Sequence, residues 1–324
     1  MKVLVTGATS MIGRATVQEL LKRGHHVRVF QRGESDLDVE TVRGDIRDNK
    51  RVSASAVGCD VVVHAAAKVG LVGDYAEFYD INVTGTENVL NAAVDAGCRG
   101  FVYVSSPSVS YSRTPVNGGV NPPAIDDVLG HYSKTKSLAE RLVTAESRIA
   151  TVAIRPHLVW GVGDTQLVGR IVDRAINQRL VLVNNGEAVV DTTYIDNVAD
   201  ALVAATERIG VHHDLHGKAL VVSNGEPRTV ASLVQSICHA ANVLYAPRTI
   251  GLRAATMLGA VCEVLFKLKP HTEPPLTRFT AYQLGISHWF DISQTRELLQ
   301  WTPRINLDEG FEILAASFES AQTD

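Results

Sequence analysis

The 324-residue sequence predicts an α/β protein, in which a doubly wound parallel sheet of the Rossmann type is followed by a smaller, mainly helical C-terminal substrate lobe. Three observations favour this fold class. A β-branched run at residues 2–6 leads directly into a glycine-containing turn. Strand-like and helix-like segments then alternate to about residue 155. Beyond Asn224, helical segments are separated by proline-containing loops.

The alternation assigns the elements of the sheet domain in chain order. A helix between two parallel strands implies a right-handed crossover, and such crossovers place helices on both faces of the sheet. The predicted strands are residues 2–6, 26–30, 39–43, 60–65, 101–105 and 150–155, and the predicted helices are residues 11–22, 77–96 and 132–147.

The second half of the chain has a less regular pattern. Predicted helices at 166–178 and 197–208, and predicted strands at 180–183 and 219–223, can still join the sheet. We therefore expect a dinucleotide-binding domain at residues 1–178, to which residues 190–223 return. Residues 179–189 and 224–324 are expected to form the substrate-binding lobe, with the ligand in the cleft between the two.

Composition and charge exclude several classes of function. The 31 basic and 35 acidic residues give a net charge of -4, which argues against a nucleic-acid partner because such proteins need a basic surface. The four cysteines have neither zinc-site nor disulfide-framework spacing, so no metal is predicted and a reducing compartment is the simplest interpretation. The N-terminal segment has no secretory character, and we expect a cytoplasmic protein.

The turn after the first strand has the features of a pyrophosphate site. Its glycines permit a tight turn and close packing of strand and helix, and the first N–H groups of the helix can hold phosphate oxygens. Serine stands where a middle glycine is usual, and its hydroxyl could bind a phosphate. The alternative is a plain strand–helix turn. The candidate cofactor-binding residues here are Gly7, Thr9, Ser10, Met11, Ile12 and Gly13.

The end of the second strand bears on the choice of dinucleotide. An acidic residue there would accept the ribose hydroxyls of NAD, whereas an arginine can pair with the 2′-phosphate of NADP. The sequence has Gln31 and Arg32 at this place, so NADP(H) is favoured and NAD(H) is the alternative. Asp45, followed by Ile46, comes after the third strand and could accept the adenine amino group.

Three residues form a candidate catalytic set. Ser106 ends the fifth strand, and Tyr132 and Lys136 are four residues apart on one helix face. Reduction of a carbonyl needs a proton for the nascent alkoxide, and a phenol can supply it. We expect the Lys136 ammonium to lower the pKa of Tyr132 and to hold the nicotinamide ribose, and Ser106 to bind the reacting oxygen. By itself, a YxxxK match is also typical of a surface helix.

Together, the motifs resemble those of the extended short-chain dehydrogenase/reductase family. The resemblance implies Ser106, Tyr132 and Lys136 as the catalytic residues, with Asn82 in support. It implies that Ala65, Ala66, Ala67 and Pro156 line the cofactor with Gly7, Gly13 and Asp45. The matching segments are TGATSMIG (6–13), GDIRD (44–48), VVHAAA (62–67), NVTGTENVL (82–90), YVSSPSV (103–109), HYSKTK (131–136) and IRPHLVWG (154–161).

Later segments are similar to one branch of that family. GDTQLV (163–168), VDTTYIDNV (190–198), PLTRF (275–279) and FDIS (290–293) look like the 3β-hydroxysteroid dehydrogenase group, with sterol 4-carboxylate dehydrogenases and 2-alkyl-3-oxoalkanoate reductases. The resemblance implies interconversion of an alcohol and a ketone on an apolar, steroid- or 3-oxo-lipid-like substrate. It also implies a homodimer formed through helices 77–96 and 132–147.

Two other functions remain open from the sequence. A nucleotide-sugar 4-epimerase shares the fold and the catalytic set, but would need arginines to grip a diphosphate, and the lobe offers only the scattered Arg248, Arg253 and Arg278. A non-catalytic dinucleotide-sensing protein would keep the glycine turn and lose the tyrosine, which is present here.

Two segments carry further expectations. Residues 250–268 are apolar but interrupted by charge, so they predict either a buried helix or an amphipathic helix that lines a lipid-sized pocket or contacts a membrane surface. The connection between Ser106 and Tyr132 is long and polar, and we expect it to be a mobile loop that covers the substrate.

Overall fold

The computed structural model describes residues 1–70, 73–110, 116–120, 122–126, 128–266 and 274–323. The strands are β1 (Lys2–Thr6), β2 (His26–Gln31), β3 (Glu40–Arg43), β4 (Val61–His64), β5 (Gly100–Val104), β6 (Val116–Gly119), β7 (Ala150–Pro156), β8 (Val159–Trp160), β9 (Val181–Val183), β10 (Val189–Val190), β11 (Thr193–Tyr194), β12 (Lys218–Val222), β13 (Arg228–Thr229), β14 (Arg248–Ile250) and β15 (His288–Phe290). The helices are α1 (Met11–Lys22), α2 (Asn49–Ala56), α3 (Tyr75–Tyr79), α4 (Gly85–Asp95), α5 (His131–Thr144), α6 (Val168–Ile176), α7 (Ile195–Arg208), α8 (Val230–Ala240), α9 (Leu252–Phe266), α10 (Arg278–Gly285), α11 (Ser293–Leu299) and α12 (Leu307–Thr323).

A parallel sheet of seven strands forms the centre of the fold, in the order β12-β7-β5-β4-β1-β2-β3. The chain winds outward in one direction from β1 to β3 and in the other from β4 to β12. Ligands of such sheets bind at the carboxyl ends of the strands where the winding reverses, here β1 and β4. The predicted doubly wound Rossmann fold is confirmed.

Side-chain alternation along the strands builds two apolar layers. Val3 and Val5 of β1 pack with Leu202 of α7 on one face of the sheet. Leu4 packs with Leu90 of α4 on the other face. Helices cover both faces, which is why the parallel strands read as continuous apolar runs in the sequence.

The C-terminal lobe has a core of its own. Apolar side chains of α8 and α12 form a third cluster together with those of α6, a helix that the sequence analysis assigned to the dinucleotide-binding domain. In this cluster, Phe311 of α12 stacks on Trp160 of β8 with ring centroids 4.5 Å apart. The lobe is mainly helical, as predicted. It also contains a small sheet in the order β13-β10-β15-β6, which the sequence did not predict.

Two helical segments differ from the sequence-based expectation. Helix α2 was not predicted; Asp48 caps it by accepting the N–H of Arg51, and Val52 is one of its few buried apolar side chains. The predicted helix 77–96 is divided into α3, a π-helical turn at Asp80–Thr84 and α4. A π turn adds one residue to the helical repeat, and such turns are frequent at functional sites.

The connection between Ser106 and Tyr132 contains the strand β6, which pairs in parallel with β15 of the C-terminal lobe. The expectation of a loop is therefore wrong for residues 116–119, because these residues are tied to the lobe by backbone hydrogen bonds. Residues 111–115, 121 and 127 lie outside the described residues, and the expectation that the connection covers the substrate stays a prediction.

Candidate active site

The turn between β1 and α1 is shaped by two glycines. Gly7 has a φ of +76°, and a Cβ added to it would lie 2.7 Å from the backbone N and Cα of Ala66. A Cβ added to Gly13 would collide with the carbonyl oxygen of Gly7. Since only hydrogen fits at both positions, β4 can approach the turn closely and the N-terminus of α1 stays open. The turn therefore fits the pyrophosphate of a dinucleotide.

The other residues of the turn contribute their backbone more than their side chains. The Ser10 hydroxyl donates to the carbonyl of Gly7 at 2.8 Å and accepts the N–H of Gly13 at 3.1 Å, so it caps α1 and its hydrogen is not directed at a phosphate. Met11 and Ile12 pack against the apolar cluster of the lobe. Thr9 is exposed at the surface.

A shallow cavity of about 500 Å³ lies where β2 and β3 end, lined by Arg32, Arg43, Gly44, Asp45 and Arg51. The Asp45 carboxylate pairs with Arg47 at 2.7 Å, and this hydrogen-bonded contact lowers the pKa of Asp45. Gln31 points inward, and its amide donates to the carbonyls of Gly33 and Glu34. Ile46 is buried against Gly85, so its side chain belongs to the core.

A chain of hydrogen bonds connects the cofactor side of β4 to Asn82. The Thr86 hydroxyl donates to the carbonyl of Asn82 at 2.6 Å, so its oxygen accepts from Nε2 of His64 at 3.0 Å. Nδ1 of His64 therefore accepts from the Thr6 hydroxyl at 2.6 Å, and Thr6 accepts the N–H of Ala66 at 3.2 Å. Burial lowers the pKa of His64 to about 3, so the imidazole stays neutral and this series of hydrogen bonds carries no charge.

Asn82 lies in the π-helical turn and joins two segments of the site. Its oxygen accepts the N–H of Lys68 at 2.7 Å, and its amide donates to the Lys68 carbonyl at 3.1 Å and to the Thr135 hydroxyl at 3.0 Å. The segment that follows Ala65–Ala67 is thus fixed to α5, the helix that carries Tyr132. Pro156 ends β7 and is buried.

The structure brings Ser106 and Tyr132 together at the edge of a mostly apolar cavity. Ser106 follows β5 and caps a short 3₁₀ turn, with its Oγ 3.0 Å from Oγ of Ser108. Tyr132 is in the first turn of α5. Loss of hydration raises the pKa of Tyr132 to about 12, and a hydrogen bond with Ser106 opposes the shift.

Lys136 lies one turn beyond Tyr132 and is buried. Its ammonium donates to the carbonyl of Val104 at 2.6 Å and lies 4.0 Å above the ring of Tyr103. Burial lowers the pKa of Lys136 to about 7. The expected lowering of the Tyr132 pKa is not found in this structure, because burial disfavours the charged forms of both side chains and the ammonium is directed at Val104.

The cavity has a volume of about 440 Å³ and a mostly apolar wall. The polar side chains that reach it include Ser106, Ser108, Tyr132, His157 and Thr192, and Arg170 and Arg174 of α6 also line it. Its apolar wall includes Leu158, Leu167, Ile171, Leu180, Leu182, Val190, Leu233, Val234, Ile237, Phe279, Leu284 and Phe311. This wall can bind a large apolar molecule and present one oxygen to Ser106 and Tyr132.

His157 is a pocket residue that the sequence analysis missed. Nε2 of His288 donates to the backbone carbonyl of Gln283 at 2.9 Å, so Nδ1 of His288 accepts from Nε2 of His157 at 3.0 Å. Burial lowers the pKa of both imidazoles. The one local indication was a histidine directly after Pro156, at the carboxyl end of a parallel strand.

Helix α9 has two contrasting faces. Ala255, Gly259 and Cys262 are buried, and a Cβ on Gly259 would lie 2.6 Å from the backbone of Thr277. The opposite face exposes Met257, Leu258, Val261, Val264 and Leu265. No described residue of α9 lines the cavity, so the expectation that this segment lines a lipid-sized pocket is wrong for its described part.

Within the described ranges, no cluster of three His, Cys, Asp or Glu side chains could hold a metal ion. None of the helices in those ranges combines the length and apolarity that a membrane span needs.

Comparison with known proteins gives consistent matches. Residues 4–250 match the model of the 3-beta hydroxysteroid dehydrogenase/isomerase family. The chain is 40% identical over 327 residues to a 2-alkyl-3-oxoalkanoate reductase of Stenotrophomonas maltophilia, covering 98% of this chain and 99% of that relative. It is 27% identical over 335 residues to the decarboxylating sterol-4-alpha-carboxylate 3-dehydrogenase of Mus musculus, covering 100% and 92%.

A solved structure is similar in fold. A short-chain dehydrogenase/reductase superfamily protein from Agrobacterium tumefaciens with bound NAD matches with a TM-score of 0.77. The match covers 100% of this chain and 98% of that chain. At 21% identity, it shows similarity of the fold alone.

Proposed function

Because this chain belongs to the 3-beta hydroxysteroid dehydrogenase/isomerase family, we propose that it interconverts a secondary alcohol and a ketone on an apolar, steroid- or 3-oxo-lipid-like substrate. Enzymes of this family are oxidoreductases that act on hydroxyl or keto groups with a nicotinamide dinucleotide. The observation that carries the substrate proposal is the apolar cavity of about 440 Å³ that opens onto Tyr132 and Ser106.

Each catalytic residue has a defined task in this proposal. Bound nicotinamide supplies or accepts the hydride. Tyr132 holds the proton that passes to the substrate oxygen, and Ser106 donates a hydrogen bond to that oxygen. When Lys136 turns from the Val104 carbonyl toward the phenol, its positive charge lowers the cost of forming the phenolate. The apolar wall excludes water from the reacting oxygen.

The substrate class is testable through chain length. Burial of one methylene group contributes about 0.8 kcal/mol, which is roughly a fourfold change in an equilibrium constant. We therefore expect kcat/KM to rise about fourfold per methylene in a homologous series of 3-oxo esters until the cavity is filled. The panel of test substrates consists of these 3-oxo esters, a 3-oxosteroid and UDP-glucose.

A pair of variants relates this dependence to the cavity. Leu284→Gln places an amide in the wall and should flatten the chain-length dependence. Leu244→Gln makes the same change at an exposed leucine outside the cavity and should leave the dependence as in the parent protein. A kcat/KM that is independent of chain length in the parent protein would argue against an apolar substrate.

One observation favours a nucleotide-sugar 4-epimerase as the second candidate. Arg170 and Arg174 of α6 line the same cavity, four residues apart on one helix face, and could bind a diphosphate. Conversion of UDP-glucose to UDP-galactose, with 3-oxo esters untouched, would select this function. A dinucleotide-sensing protein without catalysis would bind the cofactor and turn over none of the panel.

We infer that the cofactor is NADP(H) in preference to NAD(H). The support is the group of arginines, Arg32, Arg43 and Arg51, around the cavity at the ends of β2 and β3. Fluorescence titration should give a lower Kd for NADPH than for NADH. Arg32→Ser should raise the NADPH Kd roughly 10- to 150-fold and leave the NADH Kd unchanged, as the loss of one charged hydrogen bond predicts. Arg99→Ser, outside this cavity, is the control.

We also propose that α9 contacts the surface of an anionic membrane. Its exposed apolar stripe of Met257, Val261 and Val264 begins one helical turn after the exposed Arg253. A basic and apolar face of this kind suits anionic lipid. Sedimentation with anionic liposomes should bring down the protein, and Met257→Gln/Val264→Gln should leave it in the supernatant. If the parent protein stayed entirely in the supernatant, this result would contradict the proposal.

The assembly and location are proposals as well. We propose a homodimer formed through α4 and α5, and solution scattering that gives a monomer would reject it. We propose a cytoplasmic location, since all four cysteines are buried free thiols. Cell fractionation would test this location against membrane association.

A further inference from the structure

We propose that Glu140 and Arg155 are positioning residues of the active site: their buried ion pair fixes the segment that carries Ser106 and provides the negative charge that keeps Lys136 protonated. The inference rests on the proposed function, in which Ser106, Tyr132 and Lys136 are the catalytic residues. It assigns a role to two charged side chains that neither touch the cavity nor line the cofactor site described above.

The ion pair is almost completely buried. Glu140 and Arg155 side chains are 3% and 1% exposed. Arg155 binds the carboxylate through two nitrogens, with Nε 2.8 Å from Oε2 and Nη2 2.5 Å from Oε1. Two parallel bonds of this kind fix the carboxylate in both position and orientation. A buried pair adds little net stability over apolar residues of the same size, so stability alone does not explain its presence.

The partners of this pair belong to three segments of the active site. The Ser105 hydroxyl donates to Oε2 of Glu140 at 2.5 Å, and Ser105 directly precedes Ser106. Arg155 directly precedes Pro156 at the end of β7 and also donates to the carbonyl of Pro122, in the connection between Ser106 and Tyr132. Glu140 therefore links β5 and β7 to α5 at the level of the catalytic residues.

Glu140 lies one helical turn beyond Lys136, on the same face of α5. The Lys136 amine lies 4.0 Å above the ring of Tyr103, and burial together with the Lys136 charge lowers the pKa of His64. Tyr132 lies one helical turn before Lys136, and burial favours the neutral forms of Tyr103 and Tyr132. Burial lowers the pKa of Lys136 to about 7, and the Glu140 carboxylate opposes that shift. Arg155 holds this carboxylate in place, although its own positive charge acts in the opposite direction.

The sign of the effect follows from these charges. Without the carboxylate, the charged form of Lys136 loses its attractive neighbour, so its pKa falls. As the pH rises, Lys136 then loses its proton at a lower pH than in the parent protein. Catalysis that needs the ammonium therefore also begins to fall at a lower pH. An opposite charge close to an ionisable group shifts its pKa by about 1 unit or more. At pH values above the pKa of Lys136, a shift of 1 unit corresponds to about tenfold lower kcat/KM at a given pH.

The test measures the pH dependence of kcat/KM and the titration of Lys136 itself. Glu140→Gln removes the charge and keeps the shape of the side chain. We expect the alkaline limb of its profile to move down by about 1 pH unit. In the cofactor-free protein, the NMR resonance of the Lys136 ε-carbon, assigned by its loss in Lys136→Arg, should titrate at correspondingly lower pH. This second readout does not depend on the proposed substrate, so a wrong substrate and a wrong positioning role are distinguishable.

Control variants separate positioning from folding. Glu146→Gln removes a carboxylate that pairs with Arg148 at 2.6 Å just beyond the end of α5, and it should leave the limb and the Lys136 titration unchanged. If Glu140→Gln fails to fold, Glu140→Gln/Arg155→Gln removes both charges and leaves no unpaired one; we expect a shift in the same direction. A variant that is less stable than the parent protein but titrates Lys136 at the parent pH would overturn the proposal.

Discussion

Asp191 offers a prediction whose magnitude can be worked out from its surroundings. The residue follows β10 and is fully buried. Its carboxylate accepts from the Ser223 hydroxyl at 2.5 Å and from the N–H of Thr192 at 3.0 Å. Burial nevertheless raises its pKa to about 6. The folded protein therefore binds a proton at Asp191 more tightly than the unfolded chain does.

The shift defines a pH window for stability. An aspartate in the unfolded chain ionises near pH 4, so the stabilisation from proton binding is complete below that pH. It is lost as the pH rises from about 4 to about 6, the folded-state value. A difference of roughly 2 units corresponds to about 3 kcal/mol of free energy of unfolding.

Asp191→Asn should remove this pH dependence, because asparagine is neutral throughout and its oxygen can still accept the Thr192 N–H. Relative to the parent protein, the variant should gain about 2 kcal/mol in free energy of unfolding between pH 4.5 and pH 7.5, because about 1 kcal/mol of the full effect is already lost at pH 4.5. Urea denaturation at the two pH values measures the gain, with the exposed Asp38→Asn as control. An equal stability difference at both pH values would refute the reasoning.

Three further variants test other parts of the structure. Gly13→Ala places a methyl group against the carbonyl of Gly7, so dinucleotide binding should weaken at least tenfold in fluorescence titration; unchanged binding would contradict the close turn. Phe311→Ala removes the ring stacked on Trp160 and should cost about 3–5 kcal/mol in urea denaturation, whereas a loss below 1 kcal/mol would show that the lobe packs differently. Asn82→Ala releases the segment at Lys68 from Thr135 of α5, which the Asn82 amide joins. We expect kcat to fall at least tenfold while the melting temperature drops by only a few degrees. An unchanged kcat would argue against a positioning role for Asn82.

The sheet domain could be predicted from the sequence because its evidence is local. The apolar run of β1, the turn at Gly7 and the amphipathic helix α1 are adjacent in the chain, and each has its own pattern. Helix α2 lacked such a pattern, since few of its side chains are apolar and its formation depends on the Asp48 cap and on packing against α4. The π turn at Asp80–Thr84 was also missed, because one added residue barely disturbs an apolar period of 3.6.

The rest of the site depends on contacts between distant residues. His157 and His288 are 131 residues apart and meet only because β15 returns beside β10. The strands of the small sheet are two to four residues long, too short for a period of two to be visible. The direction of the pKa of Tyr132 was also beyond sequence reasoning, since it depends on burial and on where the Lys136 ammonium points.

The central claim is that Tyr132 transfers the proton in ketone reduction. Tyr132→Phe removes the phenol oxygen and keeps the ring, so the fold and the dinucleotide site should be preserved. We predict that kcat for the best 3-oxo substrate falls by about 10²- to 10⁴-fold, the usual contribution of a general acid, with unchanged NADPH affinity and melting temperature. A variant that turns over the substrate at the rate of the parent protein would contradict the account.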